Sequence, residues 1–322
     1  MKVKIWFHKL IVKNMKKCLF LFFPILSISV LLNVTPQIFA EEKSSTEITK
    51  TASEKGNKAI EVLKRLEKEQ EKVNTLEVSF YQIRTSGLML EDIFSEAIFY
   101  YKIPDKFRCD YLPPDESINL ITGNTAYIYT KEINQVEKYD LTSETEVKKL
   151  MSQILIGYGG SVEKLSQDFD IKSFKVDYEN DFKPSQSQTE GIDSNSVIEG
   201  ESPEYAKARK DIIKDIKSLK PEKVGATLVV APDNRVGTSP IPTLIEGIQL
   251  VVKSAVEKPV FQEIKIWIDT NKLEPIKIFL KENEEDKTTI FIKKTIKNKS
   301  FEDSLFQPNF PKDAEIIEPQ KE

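Results

Sequence analysis

The residues best suited to chemistry are scarce in this chain, and their placement excludes most enzyme mechanisms. His8 is the single histidine and lies in a lysine-rich N-terminal stretch. The cysteines are Cys18 and Cys109. If the N-terminal segment is removed, no imidazole remains, so no Ser-His-Asp or Cys-His arrangement can form. Zinc sites of the histidine or multi-cysteine kind are excluded with it. Gly157-Tyr158-Gly159-Gly160 lacks the following Lys-Ser/Thr of a phosphate loop and does not follow a strand pattern. Cys109 alternates with charged neighbours on a strand-like stretch, which fits a buried, inert thiol better than a nucleophile. Paired carboxylates are the remaining option, and with 51 acidic residues some will lie close together by chance. A two-carboxylate glycoside hydrolase is the enzyme reading they allow. Carbohydrate sites usually display tryptophan, however, and beyond the N-terminal segment only Trp267 is present. The expectation is a protein that is not an enzyme, with no catalytic residues, no metal site and no cofactor.

The N-terminal 40 residues carry six lysines and no acid, so the 47 basic residues of the 322-residue chain fall to 41 beyond them, against 51 acidic ones. The balance from Glu41 onward is therefore near −10. An acidic body argues against non-specific nucleic-acid binding and against docking on anionic lipid by charge alone. Lys13, Lys16 and Lys17, the apolar run from Cys18 to Val34, and Ala40 just before Glu41-Glu42 read as a cleaved secretory signal peptide over 1–40. A retained anchor is the alternative, weakened by Pro24 and the serines. Export followed by loss of Cys18 leaves Cys109 alone, so no intramolecular disulfide is expected.

The elements that would position any site follow from periodicity. Residues 41–55 read as a flexible lead-in, and 56–75 as an amphipathic helix with Ile60, Leu63, Leu66, Gln70 and Val73 on one side. The period then changes to two. Leu76, Val78 and Phe80 alternate with polar or small neighbours, as do Phe99, Tyr101 and Ile103, and then Phe107, Cys109 and Tyr111. Gly123-Asn124 joins two further strands in a tight hairpin. A helix is expected over 144–156, a shorter one to about Gln167, and a strand from Phe169 to Tyr178. Residues 181–202 are polar, and Ser202 can cap a charged helix from Pro203 to Leu219. The whole stretch 181–223 reads as an insertion. Strands are expected at 226–231 and weakly at 247–257, with a loop over 236–247, and then at 264–268, 276–281 and 289–293, before a tail that frays. About ten mostly sequential strands with two or three helices give an α+β fold: a single curved antiparallel sheet with helices packed on one face. The large side chains on one sheet face could line an open hydrophobic trough or fill an ordinary core, and alternation alone does not separate the two.

The order and spacing of several stretches resemble the periplasmic outer-membrane lipoprotein carriers of the LolA type. They are Val78-Ser79-Phe80-Tyr81-Gln82, the run from Tyr101 to Tyr111, Pro114-Asp115-Glu116-Ser117, Gly123 to Tyr129, Asn134-Gln135, Ile154-Leu155-Ile156-Gly157, and Phe306-Gln307-Pro308-Asn309-Phe310-Pro311. The similarity covers about 56–180 and 224–318, which makes 56–318 a LolA-like carrier domain interrupted by the insertion. It implies an unclosed β-barrel with helices as a lid and a hydrophobic cavity for lipoprotein acyl chains. By position, Leu76, Val78, Phe80, Phe99, Tyr101, Ile103, Phe107, Cys109 and Tyr111 would line that cavity. The implied partners are acylated lipoproteins, an inner-membrane releasing transporter and an outer-membrane acceptor, for a monomeric periplasmic carrier. Two departures stand out: Ile103 takes the place of an arginine that helps hold the lid in many members, and Cys109 that of a frequent tryptophan. An envelope-stress sensor of the same fold, binding mislocalised lipoprotein or an anti-sigma factor, is the alternative the resemblance leaves open.

Overall fold

The computed structural model describes residues 46–88, 91–141, 161–184, 201–219, 245–256 and 259–318. The helix expected over 144–156 and the strand at 226–231 lie outside these residues. Among the described residues three helices, α1 (Thr46–Gln70), α2 (Val162–Asp168) and α3 (Pro203–Ser218), accompany twelve strands. The strands are β1 (Thr75–Thr85), β2 (Ile93–Lys102), β3 (Lys106–Tyr111), β4 (Ser117–Thr122), β5 (Thr125–Thr130), β6 (Gln135–Asp140), β7 (Phe169–Phe174), β8 (Ile245–Val252), β9 (Glu263–Asp269), β10 (Glu274–Lys281), β11 (Lys287–Lys297) and β12 (Glu315–Ile317).

All twelve form one sheet, in the order β12-β6-β5-β4-β3-β2-β1-β11-β10-β9-β8-β7. Two meanders, β1 to β6 and β7 to β11, are joined by the long antiparallel pair β1–β11, which carries a bulge at Ser79/Phe80. Among the described strands only β12 pairs parallel, with β6. The outermost strands β12 and β7 are not neighbours, so the sheet is an unclosed barrel of the expected class. At the β4–β5 hairpin, Thr122 opposes Thr125 across the two-residue turn Gly123-Asn124. Gly123 holds φ +55, which suits the first turn position of a hairpin whose twist follows that of its strands.

Several boundaries differ from the sequence reading. Helix α1 begins inside the expected lead-in and stops at Gln70, because the chain must straighten to enter β1 at Thr75. Strand β8 starts at Ile245, within the expected loop, since Ile245 to Val251 pair with β9 despite Gly247. The tail, expected to fray after Phe310, instead adds β12 at Glu315–Ile317, beyond a short 3-10 helix at Asp303–Phe306.

Helices occupy both faces of the sheet. Ala59, Val62, Leu63 and Leu66 of α1, together with Val162 of α2, pack on Ile248, Leu250, Ile264, Ile266 and Ile278, on what is here called the inner face. Their three- and four-residue spacing makes the single apolar stripe that holds α1 on the sheet. Helix α3 sits on the outer face. Its Ile212, Ile213 and Ile216 meet Tyr81, Ile83, Phe94 and Phe291. Ser202 caps α3 as the sequence suggests, accepting from Tyr205 N at 3.2 Å. The outer face is further covered by Phe174 to Phe182 over Ile245 and Trp267, and by Phe301 and Phe306 over Leu120.

Candidate functional site

The registers of β1 to β6 set the inner-face side chains in rows across the strands. The first row runs Leu76–Tyr101–Phe107–Ile121–Ala126–Tyr139, and the second Val78–Phe99–Cys109–Asn119–Ile128–Glu137. The third runs Phe80–Ala97–Tyr111–Ser117–Thr130–Gln135. Six strands at the usual sheet spacing make this surface about 24 Å wide. Its centre is dense in apolar atoms, with Phe107 and Cys109 0% exposed and Phe99 stacked against Phe107 at 5.0 Å, tilted by 51°. Half-buried Ile290 and Ile292 extend it onto β11.

Eight of the nine residues singled out from the sequence lie together on this surface. Leu76, Val78, Phe80, Phe99, Phe107, Cys109 and Tyr111 are buried in one cluster, and Tyr101 is half-buried against it. Ile103 is not among them. It follows the last residue of β2 at the turn into Pro104 and is 46% exposed, because the alternation that carries Phe99 and Tyr101 inward ends with the strand. Burial pushes the Cys109 thiol well above its ordinary value, and Asp110 adds to this. A thiol held neutral in apolar surroundings is a packing group rather than a nucleophile. Among the described residues no group of three or more His, Cys, Asp and Glu side chains could hold a metal.

Two further inner-face residues escaped the sequence reading. Gln82 follows Phe80 on the same face and is 1% exposed; its Oε1 accepts from Tyr111 Oη at 3.1 Å. Arg84 follows in turn and is 6% exposed. Both begin rows that continue onto the other meander. Gln82 leads to Ile290, Ile278, Ile266 and Ile248, and Arg84 to Thr288, Leu280, Ile264 and Leu250. Continuing the period of two beyond Phe80 would have placed them, but their polar type made the strand look finished.

A cleft of about 470 Å³ lies where β3 ends and β4 begins, against Pro311 of the tail and next to Tyr111 and Ser117 of the third row. Its lining mixes Asp110, Glu116 and Lys131 with Pro113, Ile118 and Pro311. A large continuous apolar region among the described residues is the inner face of β1 to β5, whose central side chains are buried.

The model of the family described as outer membrane lipoprotein carrier protein LolA matches residues 71–198. No curated protein matches the chain. Among solved structures the chain is similar to an uncharacterized conserved protein from Thermus thermophilus, at 12% identity and a TM-score of 0.38, covering 81% of this chain and 99% of that one. A putative outer membrane lipoprotein-sorting protein domain from Vibrio parahaemolyticus is 8% identical, with a TM-score of 0.34 and coverage of 78% and 97%. The Pseudomonas aeruginosa MucA/MucB complex matches at 7% identity and a TM-score of 0.35, covering 78% and 61%. The matched segment 71–198 holds β1 to β7 and every inner-face residue named from the sequence, and over that segment the chain is similar to the LolA family.

Proposed function

We propose that this protein is a periplasmic carrier that holds the acyl chains of lipoproteins on the inner face of its sheet and moves them from the inner to the outer membrane. The observation that carries the reading is the run of apolar rows from Leu76 to Tyr139, within the segment matched by the lipoprotein-carrier family. Each methylene withdrawn from water contributes about 0.8 kcal/mol. A diacylated protein therefore cannot cross an aqueous compartment unless its chains are covered. The rows supply cover with few directional contacts, which suits cargo that must later leave. An inner-membrane releasing transporter and an outer-membrane acceptor are the partners this role requires, and the N-terminal 40 residues are the export signal. Among the described residues no helix is long and apolar enough to cross a membrane.

The test uses protein purified from its own cell envelope. Mass spectrometry of the bound material should find diacylated protein or lipid. After delipidation the protein should enhance the fluorescence of an apolar naphthylamine dye, and a diacylated lipopeptide should displace it. Phe107→Glu places a carboxylate in the 0% exposed centre of the face and should abolish dye binding. Ile121→Met keeps the face apolar, so it should fold and bind. Wild-type protein that binds neither dye nor lipid would sink the carrier reading.

A further inference from the structure

Gln82 and Arg84 are polar side chains set in rows of isoleucine and leucine, and their donors are only partly used. Gln82 Nε2 and Arg84 Nη1 are both buried and have no hydrogen-bond partner among the described residues. A buried donor without a partner is destabilising by about 1–3 kcal/mol, and more when charged. A purely structural glutamine would engage both ends of its amide. Here Oε1 is tied to Tyr111, while Nε2 is enclosed next to the apolar rows without a partner among the described residues.

We propose that Gln82 and Arg84 form a carbonyl-binding site for a neutral acyl ester or amide, placed at the end of the surface that takes the hydrocarbon chain. The site rests on the carrier reading and names the chemical group that reading leaves open. The two residues are two apart on β1, so their Cα atoms lie about 7 Å from each other on one face. Gln82 neighbours Phe80 and Tyr111 of the apolar rows, which puts the donors where a chain lying on those rows would end.

Charge selects among carbonyl compounds. Glu282 and Asp286 lie in the field of Arg84. Burial pushes the Glu282 carboxyl up, with Arg84 pulling the other way. Burial also acts on Asp286, but hydrogen bonds from Ser86 and Asn283, then Arg84, hold it below its usual range. The guanidinium charge is thus answered in part by Asp286, and less by Glu282, which burial pushes toward its neutral form. A third carboxylate, that of a free fatty acid, would be repelled, whereas an uncharged ester or amide oxygen can accept from Nε2 and Nη1 at no electrostatic penalty.

The experiment is competition for the naphthylamine dye on purified, delipidated protein at pH 8, with dodecane, methyl dodecanoate, N-methyldodecanamide and dodecanoate as matched competitors. The ester and the amide should bind roughly five- to tenfold tighter than the alkane, and tighter than the carboxylate. Gln82→Leu and Arg84→Met should each shrink the ester advantage severalfold while leaving the alkane unchanged. A diacylglycerol and a diacylated lipopeptide should both compete, and a diacylglycerol that fails to do so overturns the ester assignment. The wild-type ranking needs no variant to fold. Dye that is displaced equally by alkane and ester, or best by dodecanoate, overturns the site while the carrier reading stands. Absence of dye binding overturns both.

Discussion

On the inner face the rows from Leu76 to Tyr139 meet mostly through apolar contact, with directed bonds from Tyr111 to Gln82, from Tyr139 to Glu137 and from Tyr101 to the Pro104 carbonyl. The outer face has similar bulk but is pinned throughout. Tyr81 Oη donates to Asp215 Oδ2 at 2.5 Å, tying β1 to α3. Phe94 N donates to Tyr205 Oη at 2.8 Å, tying β2 to the start of the same helix. Arg209 grips Glu201 with two parallel bonds of 2.8 and 2.9 Å. Trp267 Nε1 donates to Asp181 Oδ2 at 3.0 Å, and Lys277 Nζ donates to the Asp181 carbonyl. Directional bonds fix one arrangement, while apolar contacts tolerate several. The insertion at 181–223 is therefore more than a surface loop where it is described: it fastens the outer side of the sheet, and the inner side is left with adaptable contacts.

The sharpest way to break this comparison is Arg209→Leu. Both side chains of the Arg209–Glu201 pair are 4% exposed, so removing the cation strands a buried carboxylate. Losing one partner of such a pair costs about 3–5 kcal/mol. Chemical denaturation should show a loss of that size, with dye affinity at the inner face unchanged in the variant that remains folded. An equal loss of dye affinity would mean that the two faces are not independent.

A smaller effect tests Lys277. It is 7% exposed, with Nζ 4.5 Å from the Trp267 ring centre and 5.1 Å from that of Phe291. Burial lowers its pKa to about 8, against a pull upward from Asp181. The unfolded chain then binds more protons than the folded one between about pH 8 and the ordinary lysine value near 10.4, so this group's contribution to stability rises with pH across that window. The attraction of the rings for the cation opposes burial and keeps the rise modest, roughly 1–3 kcal/mol. Lys277→Met should flatten the rise. Identical stability profiles for variant and wild type between pH 8 and 10 would show that the lysine is not desolvated.

The alternation at Leu76, Val78 and Phe80, at Phe99 and Tyr101, and at Phe107, Cys109 and Tyr111 was legible because each side chain reports its own face. Gly123-Asn124 and Ser202 were legible because turn and cap chemistry is local. What could not be read is what each face meets. The stripe Ile212, Ile216 and Leu219 marks one side of α3, yet nothing local says that it lies on Tyr81 and Phe291, 135 and 75 residues from Ile216 along the chain. Gln82 and Arg84 were missed because their polar type made the strand look finished, although the period of two reaches them. Their inner-face rows are completed by Ile290 and Thr288, from a strand about two hundred residues away. The parallel pairing of Glu315–Ile317 with β6 likewise depends on a long-range return of the chain, in a segment too short to show a period.

The smallest expected effect concerns the tail over the outer ends of β2 to β4. Asp303 accepts from Lys102 Nζ at 2.8 Å and from Lys106 Nζ at 2.9 Å, and these bonds hold its pKa down at about 2. A carboxylate with a lowered folded value stabilises above its unfolded value near 3.9 and loses that contribution as pH falls toward 2. The Asp303 side chain is 64% exposed, so water and salt screen the pair. Phe301 and Phe306 stay buried against Tyr100 and Leu120 whatever the charge, which limits the effect to local fraying. Hydrogen exchange should therefore quicken at Leu305 and Gln307, whose amides close the 3-10 turn, when pH drops from 5 to 2.5, after correction for the intrinsic rate. Asp303→Asn should show the quickened exchange at both pH values, while the β1–β2 amides stay protected. A tail whose corrected exchange ignores both pH and the substitution would mean that its aromatic anchors alone hold it, making the tail the one part of the outer face fastened as the inner face is.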